Sequence, residues 1–331
     1  MDIAWSQVSA TSGYRSSAFS ACVLGDRVFV VGFDESLGLG ARRFRVEAYS
    51  AGSGKPLVSW SDEAGYPFAS LTTCCVSGDR VYVAGATSRH WSVIAFNRDL
   101  GVVGRVDFEK PKVTPFSATA VGNSLYVVGV VTVREGATAA YVAKISLRDL
   151  SLEGEFTYTP GTGAYAVVYS KKTRVLVVGG FVGGEWFLFS LDQDLKPLGS
   201  VKPGFRGSVL GLTVDPAGLL YAVDGYRVVK LSERGDVLAS LNIPAVKVHA
   251  SQEETSPLGK HVAIATSSDF HLVRSSDMAT VDSAKLTREQ ALVALPGNMD
   301  TDNKHVYLAL TQVTAVEKWE WVVYALRLRA R

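Results

Sequence analysis

Val28-Phe29-Val30-Val31-Gly32 is the first copy of a pentad that returns, with drift, along the whole chain. It reappears as Val81-Tyr82-Val83-Ala84-Gly85, Leu125-Tyr126-Val127-Val128-Gly129, Val175-Leu176-Val177-Val178-Gly179 and Leu220-Tyr221-Ala222-Val223-Asp224. Two eroded copies follow, Val262-Ala263-Ile264-Ala265-Thr266 and Val306-Tyr307-Leu308-Ala309-Leu310. A self-similarity recurring roughly every 45 residues is the mark of a solenoid or a propeller. Units of that size occupy nearly all of the 331 residues, so one architecture accounts for the chain.

The second unit gives the grammar. Ser70 to Val76 is short, small and β-prone, and Gly78-Asp79 follows it. Gly-Asp between two β-runs signals a tight hairpin, because glycine takes the positive φ that such turns require. Val81 to Gly85 is the next strand, His90 to Phe96 a third, and Val102 to Phe108 a fourth, reached through the turn Asn97-Arg98-Asp99-Leu100-Gly101. Four antiparallel strands joined by tight turns make one propeller blade. The first hairpin recurs at Gly25-Asp26 and Gly122-Asn123, and the last turn at Arg148-Asp149-Leu150, Gln193-Asp194-Leu195, Glu233-Arg234-Gly235-Asp236 and Ser276-Asp277-Met278. The expected fold is all-β: a seven-bladed β-propeller, four antiparallel strands per blade, forming a single domain over residues 1–331. Thr287 to Ala294 could form one helical turn, but its place in the repeat is an inner strand.

Closure of the ring is also written in the order of strands. The seventh unit ends after its third strand, Trp319 to Arg327, while an orphan strand, Ile3-Ala4-Trp5-Ser6-Gln7-Val8, opens the chain. That strand resembles the fourth strand of the first unit, Leu57-Val58-Ser59-Trp60-Ser61. Residues 2–9 are therefore expected to complete the last blade and cover an edge that would otherwise invite aggregation.

Units such as Gly78 to Phe108 resemble the delta-60-type β-propeller repeat, with its strand of Gly or Asp, an apolar residue, Tyr-Val and a closing glycine, then a short loop and a hydrophobic third strand. About five of the seven units fit; the sixth and seventh lack the strand-end glycine. The resemblance implies a fold and no particular activity, since propellers host scaffolding, ligand binding and catalysis alike.

Composition narrows the setting. Net charge is +2, too small to imply a polyanion partner by itself. Nucleic acid is not expected: Arg42-Arg43 and the Arg327-x-Arg329-x-Arg331 tail are a small basic footprint. Cys22, Cys74 and Cys75 are too few for a disulfide framework and lack metal spacing, so they read as small core residues. The start of the chain has neither the basic nor the apolar region of a secretion signal, and no apolar run reaches the length of a membrane span. A cytoplasmic protein is expected, and the scarcity of Asn, Gln, Cys and Met hints at a thermophilic source.

No catalytic motif accompanies the repeat. Gly161-x-Gly163-x-x-Ala166 is followed by a strand and not a helix, so it is not a dinucleotide loop. Asp192-x-Asp194 and Asp300-x-Asp302 begin like calcium loops but lack the glycine and closing glutamate, and turn capping explains them better. His261 and His305 hold equivalent places beside hairpins, where exposure is expected. No metal, cofactor or catalytic residue is assigned.

The candidate surface is the mouth of the channel, formed by the loops entering each blade's first strand and those between second and third strands. Tyr14, Arg15, Tyr66, Phe68, Phe116, Arg206 and Lys247 stand in the former and Arg89 in the latter, beside Arg42, Arg43, His90, Arg134 and Arg288. Asp34, Glu35, Glu185, Asp269 and Glu317 offset them. An aromatic, net-positive funnel suits a protein partner or acidic peptide, through field focusing and Arg–carboxylate forks. The expected function is a non-enzymatic binding or scaffold module. The alternative is a small anionic ligand, or a hydrolase- or lyase-type enzyme using the same funnel. The competing account of the aromatics is packing between blades, with the cations as solvated rim.

Overall fold

The computed structural model describes the chain apart from residues 10–13, 110, 254–255, 257, 287–291, 294–298, 303, 316–317 and 329–331. Gly13, Arg288, Glu317, Arg329, Arg331 and most of the 287–294 segment thus lie outside the described residues.

Six four-stranded antiparallel sheets follow one another in sequence. They are Ser16–Leu24, Arg27–Asp34, Arg43–Ser50, Pro56–Ser61; Ala69–Ser77, Arg80–Thr87, Trp91–Phe96, Val102–Phe108; Val113–Val121, Ser124–Arg134, Ala137–Ser146, Leu152–Pro160; Thr162–Ser170, Val175–Val182, Glu185–Leu191, Pro197–Val201; Gly211–Val214, Leu220–Val223, Val228–Leu231, Val237–Leu241; and Lys247–His249, His261–Ala265, Asp269–Arg274, Thr280–Lys285. The seventh is built from both ends of the chain. His305–Ala315 pairs with Lys318–Arg327, which pairs with Asp2–Val8, and the inner strand is two fragments, Leu292–Val293 and Asp300–Thr301. The chain is a seven-bladed β-propeller with its N-terminal strand in the last blade, as the strand count requires. No helix occurs among the described residues, and none is therefore long and apolar enough to cross a membrane.

Two compact units divide the blades, Met1–Lys112 with Leu286–Arg331, and Val113–Lys285. The first holds the seventh, first and second blades, and the second holds the third to sixth. Within each, the core is a series of layers between adjacent blades. Phe29, Val31, Phe44 and Val46 of the first blade meet Cys74, Val81, Val83, Ile94 and Phe96 of the second. Cys22 and Cys74 are buried in that layer, as small apolar residues would be, and burial pushes the Cys22 thiol well up.

The pentad has a specific geometric cause. In blades one to four the inner strand carries an extra residue, Phe19, Thr72, Phe116 and Tyr165, where its pairing with the second strand slips by one. The slip is a β-bulge. It swings the inner-strand carbonyl over the second strand, so that a Cβ on Gly32 would lie 1.8 Å from the oxygen of Ser17. The same distance is 2.1 Å for Gly85 and Ser70, and 2.3 Å for Gly129 and Thr114. In the fourth blade the residue in this place is Gly180, at 1.8 Å from the oxygen of Gly163, and not Gly179. The pentad aligned on Gly179 is therefore one residue out of register there. The fifth and sixth blades pair without a slip, which removes the need for glycine and explains Asp224 and Thr266.

A second device sits two residues before each outer strand. Leu100, Leu150, Leu195 and Met278 take φ of 58°, 60°, 63° and 60°, and glycines 54 and 235 take 70° and 88°. A left-handed leucine costs about 1–2 kcal/mol. Burial of each of these side chains to 5–6 % exposure supplies the offset. Leu100, Leu195 and Met278 each pack in the layer between two adjacent blades. The polar residues before them cap the turn: Asp192 Oδ1 accepts from the amides of Asp194 and Lys196 at 2.8 Å each, and Asn97 Oδ1 from those of Asp99 and Gly101 at 3.0 and 2.8 Å. Asp302 likewise accepts from the amides of Lys304 and His305 at 2.6 Å. Asp192 and Asp302 thus do the turn-capping expected of them.

Candidate functional site

In the first unit the loop between Arg27–Asp34 and Arg43–Ser50 is fixed by charge. Asp34 and Glu35 are each 1 % exposed. Arg42 Nε donates to Glu35 Oε1 at 3.0 Å, Arg43 Nε to Asp34 Oδ1 at 2.9 Å, and Arg45 Nη1 to Asp34 Oδ2 at 3.2 Å. Ser61 Oγ donates to Asp34 Oδ2 at 3.0 Å. Arg45 continues to Glu47 at 2.6 Å, whose carboxylate also accepts from Ser9 Oγ at 2.5 Å and from the Tyr49 hydroxyl. Three carboxylates face three guanidiniums, so the cluster is neutral. Arg42 and Arg43, which the sequence offers as surface cations, are committed to it. Arg42 also stacks 4.4 Å over the Phe33 ring, and its backbone bridges to Tyr66 through bonds of 2.8 and 2.7 Å.

Burial raises the Asp34 carboxyl, but hydrogen bonds from Ser36 and Arg43 and the Arg43 charge outweigh it, and the net pKa falls below 3.8. A lowered folded pKa gives stability that is present above the unfolded value and lost as pH falls through the folded one. Asp34→Asn is therefore expected to destabilise the chain at pH 7, with the gap from wild type closing as pH falls below the ordinary carboxylate range of about 4. Denaturant melts at neutral and acid pH check it; a constant gap would mean that Asp34 is not held ionised.

The two charge-pinned ends present Leu37 and Leu39 at 53 % and 52 % exposure. Leu37 lies beside the next entering loop, its Cδ1 3.4 Å from where a Gly65 Cβ would be. Phe68 on that loop is 38 % exposed and Tyr14 49 %. Tyr66 is half-buried and meets the His90 ring edge-on at 5.8 Å. Arg89 is exposed, and Arg15 is half-buried with its guanidinium 5.4 Å from the Trp319 ring. The first unit thus carries Tyr14, Phe68 and Arg89 as exposed groups on its loops. To them it adds two leucines that the sequence reading passed over, because it searched for aromatics and cations. Their signal was Leu37-Gly38-Leu39-Gly40, apolar residues set in glycine where nothing could bury them.

In the second unit the predicted residues diverge. Phe116 is the bulge residue of its strand, half-buried, with its ring 4.8 Å from Tyr165, which in turn stacks on Phe181 at 5.8 Å. These aromatics pack blade against blade. Arg206 is exposed and bridges by its backbone to Glu185. Lys247 is 1 % exposed, inside the Lys247–His249 strand, and so is not a rim cation. His305, expected in an exposed turn, is 8 % exposed and lies 3.5 Å from Asp302 and 3.3 Å from the Tyr307 hydroxyl.

The sequence matches no protein-family model, and no curated protein matches it. Solved structures do resemble the fold. The WD40 domain of Neurospora crassa Pan2 superposes with a TM-score of 0.64 at 9 % identity, over 95 % of this chain and 92 % of that one. A catalytically inactive virginiamycin B lyase from Staphylococcus aureus, with quinupristin, gives 0.65 at 11 % identity over 97 % and 99 %. A chain of the mitotic checkpoint complex gives 0.63 at 11 % identity over 93 % and 87 %. At such identities the likeness is one of fold. A lyase and a member of a protein assembly share it, so the fold does not choose the function.

Proposed function

We propose that the chain is a non-enzymatic binding module that engages a protein partner through the loops of its first unit. The observation that supports this is the set of exposed apolar side chains, Leu37, Leu39, Phe68 and Tyr14, on loops anchored by a neutral buried charge cluster. Exposed apolar groups on a rigid frame lose little entropy on binding and form the centre of a protein interface. Arg89 at the same loops favours an acidic residue in the partner. A wholly anionic small ligand is less well served, because Arg42 and Arg43 are neutralised and Arg15 is half-buried. Two further readings belong here: the units belong to the delta-60-type repeat, and the blades form one cytoplasmic domain, which calorimetry would register as one unfolding transition.

Affinity purification of the tagged chain from its native cells, beside a Leu37→Asp/Leu39→Asp variant, tests the function. A stoichiometric protein should co-elute with the wild type and be lost from the variant, whose melting temperature should be unchanged. Retention of the partner by the variant would reject this face.

A further inference from the structure

We propose that the cleft between the fourth and fifth blades is a docking site for an extended peptide carrying a bulky apolar side chain next to an acidic one. Its lining residues all belong to the second unit. The cleft has a volume of about 390 Å³, and Val177, Leu188, Gly199, Val201, Leu220 and Arg234 are among the residues that line it.

Its origin is clearest beside four gaps that are filled within each unit. Two positions serve them: a residue of the outer strand, and the left-handed residue of the next blade's last turn. In the seventh blade Trp5 pairs with Ala325 just before the slip in register, and its ring lies 2.5 Å from where a Cβ of Gly54 in the first blade would be. Trp5 fills that gap, and its Nε1 donates to the Ala51 carbonyl at 2.8 Å. Between the first and second blades Val58 and Leu100 share one apolar layer. Between the third and fourth, Gly154 leaves space that Leu195 takes, 3.7 Å from the would-be Cβ. Between the fifth and sixth, Ala239 and Met278 pack in one cluster.

Between the fourth and fifth both positions are glycine. Gly199 pairs with Ser190 just before its slip, the register place of Trp5, and a Cβ there would meet nothing within 4 Å. Gly235 stands where Leu195 and Met278 stand in their blades. Its own Cβ place is 2.3 Å from Val201, which ties the two blades together at the cleft's end and keeps it from collapsing. The volume is at the low end for a ligand pocket and suits one or two side chains of a peptide. Leu198 at the edge is 56 % exposed.

Charge at the turn end selects the partner. Lys172 pairs with Glu233, and Lys171 with Glu253 at 3.7 Å. Arg234 lines the cleft and Arg174 stands between the lining residues Thr173 and Val175; both are exposed, and neither has an ion-pair partner among the described residues. The excess is positive, so an acidic residue beside the apolar one completes the fit.

The test is selection of a displayed library of random linear peptides on the wild-type chain, then titration of enriched peptides against three variants. Gly199→Trp supplies the plug that Trp5 supplies elsewhere. It is expected to keep or raise the melting temperature and to weaken peptide binding at least tenfold. Arg234→Glu should weaken it similarly, and Leu37→Asp, in the first unit, should leave it unchanged. Failure to enrich any peptide, enrichment of basic peptides, equal binding to Gly199→Trp, or loss of binding with Leu37→Asp would each overturn the proposal. Loss of the partner interface at Leu37 and Leu39 would bear on the proposed function and not on this cleft.

Discussion

A chain lacking residues 1–9 should melt at least about 10 °C below the full-length protein and aggregate at concentrations where the latter is clear. The strand Asp2–Val8 is the outer strand of the seventh blade, paired from Asp2 opposite Arg327 to Val8 opposite Val322. Its removal uncovers the edge from Val322 to Arg327. It also takes away Trp5, which packs 6.0 Å from the Tyr307 ring and fills the gap above Gly54. Deleting a fully buried tryptophan costs about 3–5 kcal/mol, and the half-buried Trp5 accounts for the lower end of that range. Ser9 goes as well, and with it a hydrogen bond to the buried Glu47 carboxylate, worth about 1.5–3 kcal/mol. At roughly 2–4 °C per kcal/mol, the figure for chains of 150–250 residues, these two losses together with the backbone pairing of Asp2–Val8 amount to about 10 °C or more. A synthetic peptide of residues 1–9 added in trans should restore part of the loss, since the groove it occupies is left intact. Thermal melts of the truncated chain with and without the peptide decide it. An unchanged melting temperature would mean that the strand contributes nothing to the blade.

The strand count and the closing strand were legible because tight turns and alternating apolar runs are local signals. Registers were not. Matching Trp5 to Trp60 follows from their similar surroundings in sequence. The slip between Ile3 and Trp5 instead puts Trp5 in the place of Val58, and Trp60 corresponds to Gln7. Gly179 was aligned with the pentad glycines for the same reason: a bulge shifts pairing by one without leaving a mark in composition. For the candidate site, the residue types were visible but their partners were not. Asp34 and Glu35 read as loop carboxylates offsetting a positive funnel, whereas burial beside Arg42, Arg43 and Arg45 makes them the frame of the loop. Lys247 read as a rim cation because a strand of three residues is too short to announce which way its first side chain points.

Gly85→Ala should cost at least about 4 kcal/mol, in the range reserved for a named structural fault. The added methyl would sit 2.1 Å from the Ser70 oxygen and 2.7 Å from the Leu71 Cα, both backbone atoms that no rotamer change can move. Relief requires the bulge at Thr72 to open, and sliding the inner strand by one residue would turn Ala69, Ser70 and Leu71 to the wrong faces. Gly32→Ala and Gly129→Ala should behave alike. Gly199→Ala is the control: its Cβ meets nothing within 4 Å, and alanine in place of a strand glycine should stabilise by about 0.5–1 kcal/mol. Denaturant melts of the four variants measure the contrast, and a Gly85→Ala cost below about 1 kcal/mol would show that the bulge is not what the glycine serves. The same geometry governs the aromatics first read as a funnel. Phe116 and Tyr165 are the extra residues of two such bulges, and the bulge is what re-aims their rings to meet at 4.8 Å. Gly129 and Gly180 make those bulges possible. The strand-end glycine of the pentad and the aromatic of the entering segment are therefore two halves of one packing device in the third and fourth blades, and the entering-loop aromatics that stay exposed outside it are Tyr14 and Phe68.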